Sequence, residues 1–161
     1  MSRTRHHWVL PVSLLAALLL ALLPLPAAVA PLRPYWLALA LGYWVLEEPD
    51  RVGLGVAFAV GLVADLVVGG LLGEQALRLV VMTFILQRFR ARLRFFPLSQ
   101  QALAIGGLLL NDRIVTAAVH VALGQPTLPA AYWLAPVIGL LFWSPVFLLL
   151  DGLRLGTWRR A

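Results

Sequence analysis

Four charged residues interrupt otherwise apolar runs: Asp65, Arg78, Asp112 and Arg113. An ionised side chain in a nonpolar segment is costly unless paired or hydrated, so these four face protein or water and mark where chemistry is possible. Counted along ideal helices from the polar turns near residues 52 and 99, Asp65 and Arg113 stand at ~20 and ~21 Å, a similar depth. Asp112 shares that level, and Arg78 lies within ~6 Å of the nearer surface, where its long stem can snorkel. Two acids against two arginines suit a charge-paired lock between helices, with a partner charge for Asp65 expected in Arg113. A proton or substrate path is the alternative use of the same cluster. Glu74 precedes Arg78 by four residues, the favourable order for a local helical pair. Asp112, Thr116 and His120 also repeat at four and could form a relay or a metal face. With no second ligand set nearby and no cysteine in the chain, no metal is expected. The serines, Ser2, Ser13, Ser99 and Ser144, have no histidine at a spacing that would make a nucleophile and base. No catalytic residue, no cofactor and no enzyme activity are therefore expected.

The element that must position Asp65 is the stretch from Gly53 to Gly73. Its ~20 apolar residues are long enough to cross a hydrocarbon core of ~30 Å. Gly53, Ala57, Gly61, Asp65 and Gly69 recur at every fourth position, with Gly73 next in the series. That spacing draws a diagonal groove of small residues over which another helix can pass closely, so it reads as a helix-packing and partner interface. The rest of the chain is expected to gather around this helix.

Hydrophobic residues make up 61% of the 161-residue chain, charged residues 12%, and mean hydropathy is +0.90. A soluble domain with a mixed-charge surface lies well outside that range. The length holds about six spans with short connections, so a single all-α transmembrane domain over residues 1–161 is expected, with no soluble appendage. Net charge is +6 and the basic residues are all arginine, but they sit beside the ends of apolar runs. Positive-inside topology explains that pattern, and nucleic acid is not an expected partner.

Spans are expected at about Trp8–Leu23, Pro34–Leu46, Gly53–Gly73 with Gly69, Gly70 and Gly73 ending it at a turn, Gln75–Leu86 or slightly beyond, Ser99–Leu123 and Tyr132–Leu153. The last is interrupted by Pro145. Residues 1–30 carry the alternative of a cleaved signal peptide, since Arg3 and Arg5 precede the apolar run and Ala28-Val29-Ala30 has the small-x-small form of a cleavage site. Pro31 and the length of the run favour an uncleaved span. Trp8, Tyr35, Trp36, Tyr132, Trp133 and Trp158 lie near span ends, where amphipathic rings prefer the headgroup layer. Placing both termini in the cytoplasm collects Arg3, Arg5, Arg51, Arg88, Arg90, Arg92, Arg94, Arg154, Arg159 and Arg160 there, leaving Arg33 alone in the outer loops. The basic segment Arg88, Arg90, Arg92 and Arg94 anchors topology and can also meet acidic phospholipid headgroups or a cytosolic partner.

The order of motifs resembles a known family. Arg33-Pro34-x-Trp36, Tyr43-Trp44, Pro49-x-Arg51-Val52, Gly61-x-x-x-Asp65, Gly69 and Leu72-Gly73 follow one another as in the MreD rod shape-determining proteins. Gln100-Gln101-Ala102-Leu103 and Pro145 continue the match. The likeness is strongest from residue 33 to 77 and weak from 104 to 144, and it persuades by order and spacing. Asn111-Asp112-Arg113 departs from the family pattern, so no role is carried onto those three. The resemblance implies a multi-pass protein of the bacterial inner membrane, and a fold similar to the substrate-binding membrane subunits of energy-coupling-factor transporters. It implies a non-enzymatic scaffold of the cell-elongation machinery that binds MreC and helps control peptidoglycan synthesis. RodA, a class B penicillin-binding transpeptidase, MreB and RodZ would form the wider complex. Fold likeness does not carry vitamin binding with it. A small-molecule-binding subunit of a transporter is the alternative, to be separated by whether a polar pocket opens to the outside.

Overall fold

Apolar runs punctuated by proline and glycine fold here into helices joined by tight turns. A computed structural model describes residues 7–156. Its α-helices are Val9–Leu22 (α1), Trp36–Glu47 (α2), Leu54–Val68 (α3), Glu74–Leu93 (α4), Leu98–Ala122 (α5) and Ala135–Leu155 (α6), with 3₁₀ turns at Ala30–Leu32 and Ala130–Leu134. There is no strand among the described residues. Arg3, Arg5, Trp158, Arg159 and Arg160 lie outside them.

The centre of the molecule is α2. Every residue from Leu37 to Leu46 is buried, including Tyr43 and Trp44. Its sequence, WLALALGYWVLE, has no polar stripe, and a helix that is apolar all round belongs inside. It packs against α1, α4 and α6, while the other five contact one another in the cyclic order α1, α3, α4, α5, α6. This corrects the expectation that the chain gathers around residues 53–73. Helix α3 belongs to the ring, and its Phe58, Val63, Leu66 and Val67 are exposed.

Helix α3 is shorter than the Gly53–Gly73 stretch and ends where Gly69 and Gly70 are expected to make a turn. Gly69 and Gly70 adopt positive φ of 78° and 140°, so the helix stops at Val68 after 15 residues, ~22 Å. Helix α4 is longer than expected, continuing past Leu86 through Arg88, Arg90 and Arg92. Arginine is a good helix former, its charge is favourable in a last turn, and the helix-stopping Pro97 comes only later. Among the described residues two segments are, by length and composition, long and apolar enough to cross a membrane, Leu98–Ala122 and Ala130–Leu155. Helix α1 is apolar but has 14 residues. It is anchored in the bundle by buried Leu14, Ala17 and Leu18, and by Trp44 Nε1, which donates to Ser13 Oγ at 2.8 Å.

Candidate functional site

Polar side chains collect at the two ends of the bundle. At the Tyr35 end, where α2 and α4 begin, Arg78 and Asp112 join α4 to α5. Arg78 Nε donates to Asp112 Oδ1 and its NH2 nitrogen to Oδ2, both at 2.7 Å, in a fork that uses both carboxylate oxygens. The guanidinium carbon sits 4.4 Å from the centre of the Tyr35 ring. Glu74 Oε1 lies 3.8 Å from Arg78 and also 3.8 Å from His120 Nε2. The side chains of Arg78 and Asp112 are 8% and 2% exposed, so their charges are removed from water together.

Asp65 does something other than pair with Arg113. Its Oδ2 accepts the backbone N–H of Gly73 at 2.8 Å, and its Oδ1 accepts that of Gln75 at 2.9 Å. Those groups open α4, where N–H donors have no partner inside the helix and the dipole favours a negative charge. Asp65 thus caps the next helix from the last turn of α3. Arg113 instead lies over the Tyr132 ring, 3.8 Å from its centre. The expected Asp65–Arg113 pair is therefore corrected. Carboxylates satisfy backbone donors as readily as arginines, and the turn at 69–73 brings such donors within reach.

The row of small residues divides the same way. At Gly61 a Cβ atom would stand 2.3 Å from the Ala76 Cα, so α3 and α4 touch backbone to backbone there. Ala57, Gly61 and Asp65 are buried along this seam, and α4 of the same chain fills it. Gly53, Gly69 and Gly73 are instead the cap residues of α3 and α4. Gly73 has φ of 94°, a left-handed turn in which a Cβ would be strained. Of the Asp112, Thr116 and His120 row, Thr116 Oγ1 donates to the Asp112 carbonyl at 3.0 Å, and His120 faces Glu74. Among the described residues no group of three or more histidines and acids is placed to hold a metal.

Beside the Arg78–Asp112 fork is a recess of about 200 Å³ whose lining includes Arg33, Tyr35, Gln75, Arg78, Arg113 and Tyr132. Tyr35 Oη donates to Gln75 Oε1. Arg33 donates to the carbonyls of Ala21 and Leu23, closing the C-terminal end of α1. Its neighbour Pro34 precedes α2, and Trp36 meets Phe142 edge to face at 5.0 Å.

The opposite, Glu47 end holds a second network that the sequence reading missed. Tyr43 Oη donates to Asp151 Oδ1 at 3.0 Å, and Arg154 bridges Asp151 at 3.0 Å and Glu47 at 2.9 Å. Arg90 Nε donates to the Leu46 carbonyl at 2.9 Å, so one member of the basic segment closes α2. Arg51 pairs with Glu48 at 2.9 Å in the turn that carries Pro49. Arg88, Arg92 and Arg94 are exposed. The signal for this network was Tyr43 and Glu47 four apart on one helix with Asp151 and Arg154 three apart on another, but nothing in the sequence joined the two pairs.

Comparison with known proteins gives a consistent result. A family model described as rod shape-determining protein MreD matches residues 2–153. Rod shape-determining protein MreD of Haemophilus influenzae is 33% identical over 138 residues, covering 86% of this chain and 85% of that protein. No solved structure matches.

Proposed function

The chain belongs to the MreD family of rod shape-determining proteins, and from that premise we propose that it is a non-enzymatic membrane scaffold of the cell-elongation machinery. In this reading it binds MreC and through it helps control peptidoglycan synthesis, with RodA, a class B penicillin-binding transpeptidase, MreB and RodZ in the wider complex. The observation that carries the scaffold reading is the Arg78–Asp112 fork, in which two buried charges of opposite sign are committed to each other across α4 and α5. Asp65 is likewise committed to capping α4. Groups tied up in this way hold helices in place, whereas a catalytic acid or base needs a free lone pair or proton near substrate.

We read the single domain as six-spanning, in the inner membrane. The exposed side chains of the ring are largely apolar, among them Leu66, Phe84, Leu103, Val121 and Leu141, and an apolar surface of that kind suits lipid. The short α2 is compatible with a span because protein surrounds it. Arg51, Arg90 and Arg154 meet at the Glu47 end, which supports a cytoplasmic placing of that end and of both termini. The likeness to energy-coupling-factor substrate-binding subunits remains part of the same proposal.

The recess at the Tyr35 end favours the alternative, a small-molecule-binding subunit of a transporter, because three arginines, two tyrosines and a glutamine contribute to its lining. Its volume of about 200 Å³ argues the other way, since pockets for drug-sized ligands run from ~300 to ~1,000 Å³. The scaffold reading is therefore preferred. Its test is recovery from native membranes in mild detergent: the tagged chain should retain MreC at matched expression. A chain that restores rod shape to a strain lacking its own MreD yet retains no MreC would sink the MreC reading.

A further inference from the structure

We propose that the recess between Arg33, Arg113 and Tyr132 binds a phosphate group, carried by a lipid headgroup or by a free anion. Arg113 is 8% exposed, and among the described residues no hydrogen bond or ion pair reaches its guanidinium, which rests on the Tyr132 ring. A guanidinium brings five N–H donors and a charge that it does not lose, and burying them without acceptors is costly. The neighbouring acids are already engaged: Asp112 with Arg78, Asp65 with the N–H groups of Gly73 and Gln75, and Glu74 between Arg78 and His120.

Arg33 supplies a second cation that has no acid partner among the described residues. Its terminal nitrogens serve the carbonyls of Ala21 and Leu23, which accept hydrogen bonds but carry no charge. Its buried Nε has no acceptor. Three arginines and no carboxylate line the recess, and of the three Arg78 alone is neutralised by a forked carboxylate. Two guanidinium groups on different elements suit a tetrahedral oxyanion, which presents oxygens in several directions, better than a planar carboxylate that one fork saturates. The volume of about 200 Å³ suits a group of phosphate size.

The experiment uses the full chain in phosphate-free detergent and follows its thermal midpoint. Inorganic phosphate is titrated against chloride at equal ionic strength, and phosphatidylglycerol against diacylglycerol, with retained lipid counted by native mass spectrometry. A saturable rise with at least one phosphate form is expected, weakened about tenfold or more in Arg113→Gln, the loss of one charge-assisted partner. A response to phosphatidylglycerol alone assigns the headgroup, and a response to inorganic phosphate assigns the free anion. Ala21→Phe fills the recess without altering either arginine, so it should remove the response even where Arg113→Gln folds poorly. Arg92→Gln, on the basic segment at the other end, should leave it unchanged. The proposal is overturned by no saturable response to either form, or by an undiminished response in Ala21→Phe. Binding of a glutamate-rich peptide where both phosphate forms fail would overturn it in favour of a protein ligand. No partner protein is present, so failure here is separate from failure of the MreC reading.

Discussion

Arg78 and Asp112 share a two-bonded fork in a dry setting, while Glu74 at 3.8 Å and the Tyr35 ring give Arg78 weaker company, and this sets what removing the fork costs. Asp112→Ala leaves Arg78 buried with only the longer Glu74 contact, so the cost should approach the ~3–5 kcal/mol typical of breaking a buried pair. Replacing both, as Arg78→Met with Asp112→Leu, removes the two desolvation penalties together and should recover much of that loss. The expected coupling in a double-mutant cycle, read from denaturation in mixed detergent, is therefore large, up to about 3 kcal/mol. The cycle of Asp65→Asn with Arg113→Gln should instead be additive within about 0.5 kcal/mol, because Asp65 holds backbone N–H groups and Arg113 holds a ring. Strong coupling in the second cycle and none in the first would mean the pairing is wrongly assigned. The identities of these four residues were legible from the sequence, since charges inside apolar runs are conspicuous. Their partners were not. Matching acids to bases by depth ignores backbone donors at helix starts and aromatic faces, and those took Asp65 and Arg113.

The tightest junction between elements is the α3–α4 seam, and two glycines on one helix test it. At Gly61 a Cβ would meet the Ala76 Cα at 2.3 Å, whereas at Gly55 nothing lies within 4 Å. Gly61→Ala must push two backbones apart, with an overpacking cost of about 1–3 kcal/mol or more. Gly55→Ala adds a methyl to an open helix face and should stabilise by up to about 1 kcal/mol through helix propensity. Opposite signs in the unfolding midpoint are the expected outcome, and equal effects would contradict the seam. Helix boundaries were largely readable, because Gly69, Gly73, Pro97 and Gly124 act through backbone geometry that needs no tertiary context. The small-residue row likewise announced a close crossing. What it could not say is which helix crosses, and the answer, α4, lies in the same chain, so these residues are covered from within. The central place of α2 was hidden for a related reason. A run such as WLALALGYWVLE is as compatible with surrounding lipid as with surrounding protein, since lipid tails are as apolar as leucine.

At the scale of the whole molecule, the two ends differ in a way that orients it. Arg51, Arg90 and Arg154 close the Glu47 end, and the exposed Arg88, Arg92 and Arg94 project from the same end of α4 and the turn after it. The Tyr35 end keeps Arg33 in its loops, with Arg78 and Arg113 drawn inside the bundle. If the ring crosses a bilayer, arginine in short loops holds the Glu47 end on the cytoplasmic side. Phe96 lies in the turn between α4 and α5, at that end. Pro126 lies after α5, at the other, and 25 helical residues separate the two turns, ~38 Å of rise and enough to cross the hydrocarbon core. Reporters active on one side only, such as a phosphatase that needs export and a fluorescent protein that needs the cytoplasm, fused in turn at Phe96 and Pro126, should therefore give opposite signals. The cytoplasmic reporter should light at Phe96 and the exported one at Pro126. Reversed signals would overturn the orientation and leave the span count standing. Equal signals would mean that α5 does not cross and that the number of spans is wrong by one, because every later segment changes side with it.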